Sequence, residues 1–170
     1  MPDVAWLDAA NADEVRGLLL TLTASPAWAG EVVAGRPYGN VATLLDRSDA
    51  LVTGLSEGEV DAALSGHPRI GERAQSLDAD SAARSAREQA GVASADDELV
   101  AALAEGNADY EARFGRIYLV AAAGRTAEEL LAILQERLTN DPATELDVVR
   151  RELARITRLR LADTFGGDQA

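Results

Sequence analysis

The chain of 170 residues has no cysteine and no lysine: all 16 of its basic residues are arginine, and it has a single histidine. Without cysteine there is no disulfide, thiol nucleophile, iron–sulfur cluster or zinc–thiolate site. Without lysine there is no Schiff base to pyridoxal phosphate or to a carbonyl substrate, and no P-loop lysine. One histidine excludes a multi-histidine metal centre. Aromatic residues make up only 4% of the chain, and the apolar–polar alternation of half-buried strands is almost missing. Long apolar runs are missing too. The longest, Ile117 to Ala123, falls far short of the roughly 20 residues that a membrane span requires. No basic-plus-apolar leader opens the chain, so a cytoplasmic protein without a membrane partner is expected. Positive charge is scarce: 29 acidic residues leave a net charge of -13. Such a surface repels phosphate backbones and anionic lipid, which argues against nucleic acid as a partner.

What is present is helical periodicity, together with 47% apolar content. The length and the lack of a Gly/Ser linker predict a single domain over 1–170, an all-α multi-helix bundle of about eight helices, with a frayed tail at 166–170. Val15, Leu18, Leu19 and Leu22 form one stripe, and Ser25-Pro26 ends that helix and opens the next through Trp28, Val32 and Val33. Gly35 to Gly39 is a loop, and Val41 to Leu55 is helical. Ser56 with Glu59 is spaced as a capping box for a helix ending near Leu64. Ser81 to Ala90 is an Ala/Arg-rich helix stopped at Gly91. Ser94 with Asp97 starts a long helix to about Arg113 that buries Leu99, Val100, Leu103 and Tyr110. Phe114 to Val120 is the one β-leaning segment, either extended or a buried helical turn. Thr126 with Glu129, and Asp141-Pro142, open the last two helices.

Three residues stand out against this background. His67 lies between Gly66 and Pro68 in Ser65-Gly66-His67-Pro68-Arg69-Ile70-Gly71, a fixed non-helical loop. It is either a surface or capping side chain or, in a chain with neither lysine nor cysteine, the first candidate general acid–base. Arg160 continues the apolar row Leu146, Val149, Leu153, Ile156. A charge on a buried stripe needs an internal carboxylate or an anionic ligand. Glu88 follows Ser85-Ala86-Arg87 and reads by itself as part of a solvated face. Asp96-Asp97 and Glu128-Glu129 suit the N-termini of helices, and no metal site is assigned.

Taken in order, His67-Pro68-Arg69-Ile70-Gly71, Ser85-x-Arg87-Glu88-Gln89-x-Gly91, Asn107-x-x-Tyr110-x-x-x-Phe114-Gly115 and Arg158-Leu159-Arg160-Leu161 resemble one family, as do Trp28 and Arg36-Pro37-Tyr38. That family is the 2-oxo-4-hydroxy-4-carboxy-5-ureidoimidazoline (OHCU) decarboxylases of urate breakdown. The resemblance implies an all-helical enzyme without a cofactor that converts a small anionic ureidoimidazoline to (S)-allantoin. It carries the catalytic pair onto His67 and Glu88. Substrate contacts fall on Pro68, Ser85, Ala86, Arg87, Gln89, Tyr118, Leu119, Val120, Ala121, Ala122 and Arg160. The family often has an aromatic-Pro-aromatic step after Phe-Gly, where this chain has Arg116-Ile117-Tyr118. A homodimer is typical of such relatives. The competing readings are a non-catalytic helical interaction module and a lyase or hydrolase acting on another ureido compound.

Overall fold

In the computed structural model residues 1–72 and 79–166 are described, and every regular element among them is helical. The helices are α1 (Val4–Ala9), α2 (Ala12–Leu22), α3 (Pro26–Ala34), α4 (Val41–Thr53), α5 (Glu57–Leu64), α6 (Ala79–Glu88), α7 (Asp97–Phe114), α8 (Ala127–Arg137) and α9 (Pro142–Phe165). The all-α expectation holds, with one element more than periodicity suggested. At 6 residues, α1 is too short to display a repeat, and it starts because the Asp3 carboxylate accepts the Trp6 N–H at 2.8 Å.

Local chemistry sets most of the boundaries. Ser25 caps α3, with Pro26 at its first position. Ser56 and Glu59 bond reciprocally at 2.8 and 3.3 Å, and Thr126 and Glu129 do so at 2.8 and 3.2 Å. The start of α7 corrects the expected Ser94 box. Asp96 is the N-cap, its side chain accepting the Leu99 N–H at 2.8 Å, because aspartate caps as well as serine and lies closer to the helix. Val100 is a second correction: it is 38% exposed, whereas Leu103 and Tyr110 are buried. It sits about 100° around the helix from Leu99, off the inward stripe. Helix α6 ends at Glu88, short of Gly91. A methyl group on Gly91 would overlap the Arg125 carbonyl oxygen, so glycine is required there by a close backbone approach rather than as a helix cap. Residues 117–122 have no regular secondary structure, so this part of the β-leaning stretch is not a helical turn. The expected tail lies, from 167 onward, outside the described residues, as do 73–78 of the polar stretch before α6.

The chain divides into two units, Met1–Ala63 with Arg150–Ala170, and Leu64–Val149. In the first, α2 packs on α3 and α3 on α4. Trp28 is fully buried, its indole N–H donating to Ser48 Oγ at 3.0 Å. Each fully buried leucine here, such as Leu19 or Leu44, contributes about 1.5–3 kcal/mol. The loop after α3 is tied down twice: Arg36 donates to the Leu7 and Ala10 carbonyls at 3.0 and 2.8 Å, and Asp8 accepts the Tyr38 and Gly39 N–H groups, both at 2.8 Å. In the second unit α7 packs on α8. Leu103, Tyr110, Tyr118, Val120, Leu130 and Leu134 form its core. None of the described helices is long and apolar enough to cross a membrane.

Candidate active site

The second unit holds most of the residues singled out by the sequence. After α5 the chain turns at Gly66 and the His67 N–H donates to the Leu64 carbonyl at 3.0 Å. Pro68 then fixes its own φ and disfavours helical backbone at His67. His67 is half-buried, and its Nε2 is shielded from solvent. Ile70 is buried in the core, and Gly71 turns the chain at φ 88°, a conformation that favours glycine.

Helix α6 has an unusual inward face. Its buried residues are Ser81 and Ser85, and Glu88 and Gln89 continue the stripe half-buried. A helix whose inner surface is polar is poorly suited to packing alone. The loop meets the end of this helix directly: the Gly71 N–H donates to Gln89 Oε1 at 2.9 Å. His67 therefore precedes, and Glu88 adjoins, a hydrogen-bonded junction. Ala86 and Arg87 are exposed. Glu88 and Arg87 also line a cleft of about 370 Å³ with Ser94, Arg125 and Thr126.

The segment Tyr118 to Ala122 is almost entirely buried. The Tyr118 side chain belongs to the core: its hydroxyl donates to the Leu130 carbonyl at 2.9 Å, and its ring packs 5.5 Å from Tyr110. The carbonyls of Leu119, Ala121 and Ala122 accept from Arg137 Nη1 at 2.6 Å, Arg125 Nε at 3.0 Å and Arg125 N–H at 3.0 Å. The segment is thus held rigidly by its own carbonyls.

Sequence reasoning passed over the residue that does much of this holding. Arg137 is 5% exposed and Glu145 fully buried, and they pair at 2.6 Å. Tyr110 donates to the same Glu145 oxygen at 2.5 Å, and Asn140 to the other at 3.0 Å. Arg137 also lies 5.0 Å from the centre of the Tyr118 ring. Burial is the largest influence and opposes the Arg137 charge, but the Glu145 hydrogen bond together with the electrostatic interactions with Tyr110, Glu145 and Tyr118 outweighs it and raises the pKa above its ordinary value. The signal was present in the spacing of Glu145 along α9, but its apolar neighbour Leu146, only partly buried, filled the periodic row in its place.

Arg160 lies in the other unit and is described there. It is 4% exposed, and Nη1 donates to the Leu22 carbonyl at 2.7 Å. The inward position expected from the apolar row is therefore the one observed, and part of the guanidinium is used to hold the end of α2. Among the described residues, no group of three or more His, Asp or Glu side chains gathers to hold a metal ion.

The model of the OHCU decarboxylase family matches residues 8–162. The 2-oxo-4-hydroxy-4-carboxy-5-ureidoimidazoline decarboxylase of Amia calva is 34% identical over 143 residues, covering 81% of this chain and 79% of its own. The uric acid degradation bifunctional protein of Arabidopsis thaliana is 40% identical over 105 residues, 61% of this chain but only 32% of that longer protein. In fold, a crystal structure of OHCU decarboxylase in the presence of (S)-allantoin superposes with a TM-score of 0.76 at 24% identity, covering 92% of this chain and 99% of that one. With an all-helical fold and a family match over nearly the whole length, the chain belongs to the OHCU decarboxylase family.

Proposed function

We propose that the chain decarboxylates 2-oxo-4-hydroxy-4-carboxy-5-ureidoimidazoline to (S)-allantoin in urate degradation, with His67 and Glu88 moving the protons. The observation that carries the site assignment is the Gly71–Gln89 hydrogen bond of 2.9 Å, which ties the loop after His67 to the residue after Glu88. Family membership supports the reaction.

The substrate provides its own electron sink. The carbon that bears the carboxylate also bears a hydroxyl and adjoins a ring C=N bond. When the carbon–carboxyl bond breaks and carbon dioxide leaves, its electron pair forms a double bond between the two ring carbons, and the C=N pair moves onto nitrogen, which takes a proton. The hydroxyl then loses its proton to become a carbonyl, and the neighbouring carbon gains one on a single face. The protein must fix the ring, relay protons and offer positive charge to the carboxylate. A stiff His67 loop and the end of α6 suit the first two tasks. Arg160, buried on α9, and Arg87 suit the third, because guanidinium groups bind carboxylates in a planar fork. Pro68, Ser85, Ala86 and the Tyr118 to Ala122 segment complete the proposed surroundings of the substrate.

The test generates the substrate in situ from urate and follows optically active allantoin by circular dichroism. The wild-type chain is expected to accelerate its appearance, and His67→Asn to slow turnover about 100-fold with the helical signal intact. Racemic product at the uncatalysed rate with the wild-type chain would overturn the function; an active His67→Asn would remove the histidine from it.

A further inference from the structure

We infer that Asn107 is a positioning residue for His67, a role that rests on the catalytic reading of that histidine. Asn107 stands in the middle of α7 and is 5% exposed, a place where asparagine is a poor helix former and a costly residue to bury. Its amide Nδ2 donates to the Ile70 carbonyl at 3.0 Å. This is a main-chain grip on the loop that carries His67, supplied by a residue distant in sequence.

The mechanical argument follows from how little chain lies between the fixed points. The His67 N–H is bonded to the Leu64 carbonyl at 3.0 Å at one end, and the Ile70 carbonyl is held by Asn107 at the other. Between them Pro68 removes one backbone rotation and restricts the histidine before it. A span this short and stiff cannot absorb a displaced Ile70 carbonyl locally, so the displacement passes to His67. One turn further along α7, Glu111 grips the same loop by its side chain, accepting from Arg69 Nη2 at 2.7 Å and from Nε at 3.0 Å. That pair is exposed, with side chains 44% and 29% accessible, and exposed pairs fix geometry weakly. The Asn107 bond, by contrast, is buried and acts on the main chain of the loop itself. Placement at this level matters because a misplacement of about 1 Å can cost about 100-fold in rate.

The single histidine gives the test its readout, since histidine-selective isotope labelling yields one imidazole in the NMR spectrum. Asn107→Leu keeps the volume and removes the donor. The expected result is a shifted or broadened imidazole signal at fixed pH, kcat lower by about tenfold or more, and KM within about twofold, as for loss of an interaction that matters chiefly in the transition state. If that variant does not fold, Asn107→Ser, smaller and still polar, is measured in its place, with the same expectations. An unmoved imidazole in a folded variant overturns the inference, as does a moved imidazole with unchanged kcat. The two failures are distinguishable through His67→Asn. Where that substitution leaves turnover intact, the fault is in the catalytic reading; where it abolishes turnover and the imidazole has not moved, the fault is in the role given to Asn107.

Discussion

Glu88 is the residue at which chemistry and positioning are hardest to separate. It ends α6, half-buried, beside a glutamine whose side-chain oxygen is already committed to Gly71. Glu88→Gln is nearly isosteric but can neither accept a proton nor carry negative charge. If Glu88 shuttles protons, turnover falls about 100-fold or more with little change in binding, and the allantoin loses optical purity as the released intermediate is protonated by water on either face. Full activity with undiminished enantiomeric excess would remove Glu88 from the catalytic pair. At this scale the sequence was informative wherever a residue broke a local pattern. His67 did so by sitting between glycine and proline, and Arg160 by falling on an apolar row that the structure buries. Glu145 escaped because the residue after it satisfied the pattern, and Asn107, although visible within a motif, gave no hint that its partner was a backbone carbonyl. Contacts between a side chain and distant main chain leave no periodic trace.

Helix starts were legible for the same reason that they form: Ser25, Ser56, Thr126 and Pro142 act on backbone groups within a turn of themselves. The errors came where two good caps competed, as at Ser94 and Asp96, and where tertiary approach set the residue. Gly91 is the clearest case. Its role is defined by the Arg125 carbonyl, which precedes α8, and nothing within the adjacent sequence reveals it. Gly91→Ala should therefore destabilise the chain by about 1–3 kcal/mol, the usual cost of forcing a methyl group into occupied space, read as a lower denaturant midpoint at unchanged m-value. It should also reduce turnover, because the turn that must shift follows directly on Glu88 and Gln89. A Gly91→Ala chain as stable as wild type would show that Gly91 serves only to end α6.

For the molecule as a whole, 29 acidic residues against 16 arginines make each buried positive charge a structural decision, and Arg137 shows its consequence. Removing one partner of a buried ion pair leaves the other uncompensated, at a cost of about 3–5 kcal/mol, so Arg137→Met or Glu145→Ala should unfold far more readily than any surface substitution. Tyr110 couples the same network to pH. Burial, reinforced by the hydrogen bond to Glu145, raises its pKa well above the ordinary phenol value, and burial also raises that of Tyr38. A folded-state pKa above the unfolded one gives stability that is complete below about pH 10, where the unfolded phenol is still protonated, and is lost as pH rises toward the folded value. Each such phenol adds a slope of about 1.4 kcal/mol per pH unit in that window. Urea denaturation between pH 9 and pH 12 should accordingly show a steeper alkaline decline for wild type than for Tyr110→Phe. At neutral pH the phenylalanine variant should be less stable by about 1–3 kcal/mol, since the buried Glu145 carboxylate loses a donor. Parallel alkaline declines in the two proteins would mean that the Tyr110 phenol ionises as readily folded as unfolded, and the neutral Tyr110–Glu145–Arg137 arrangement would fall with it.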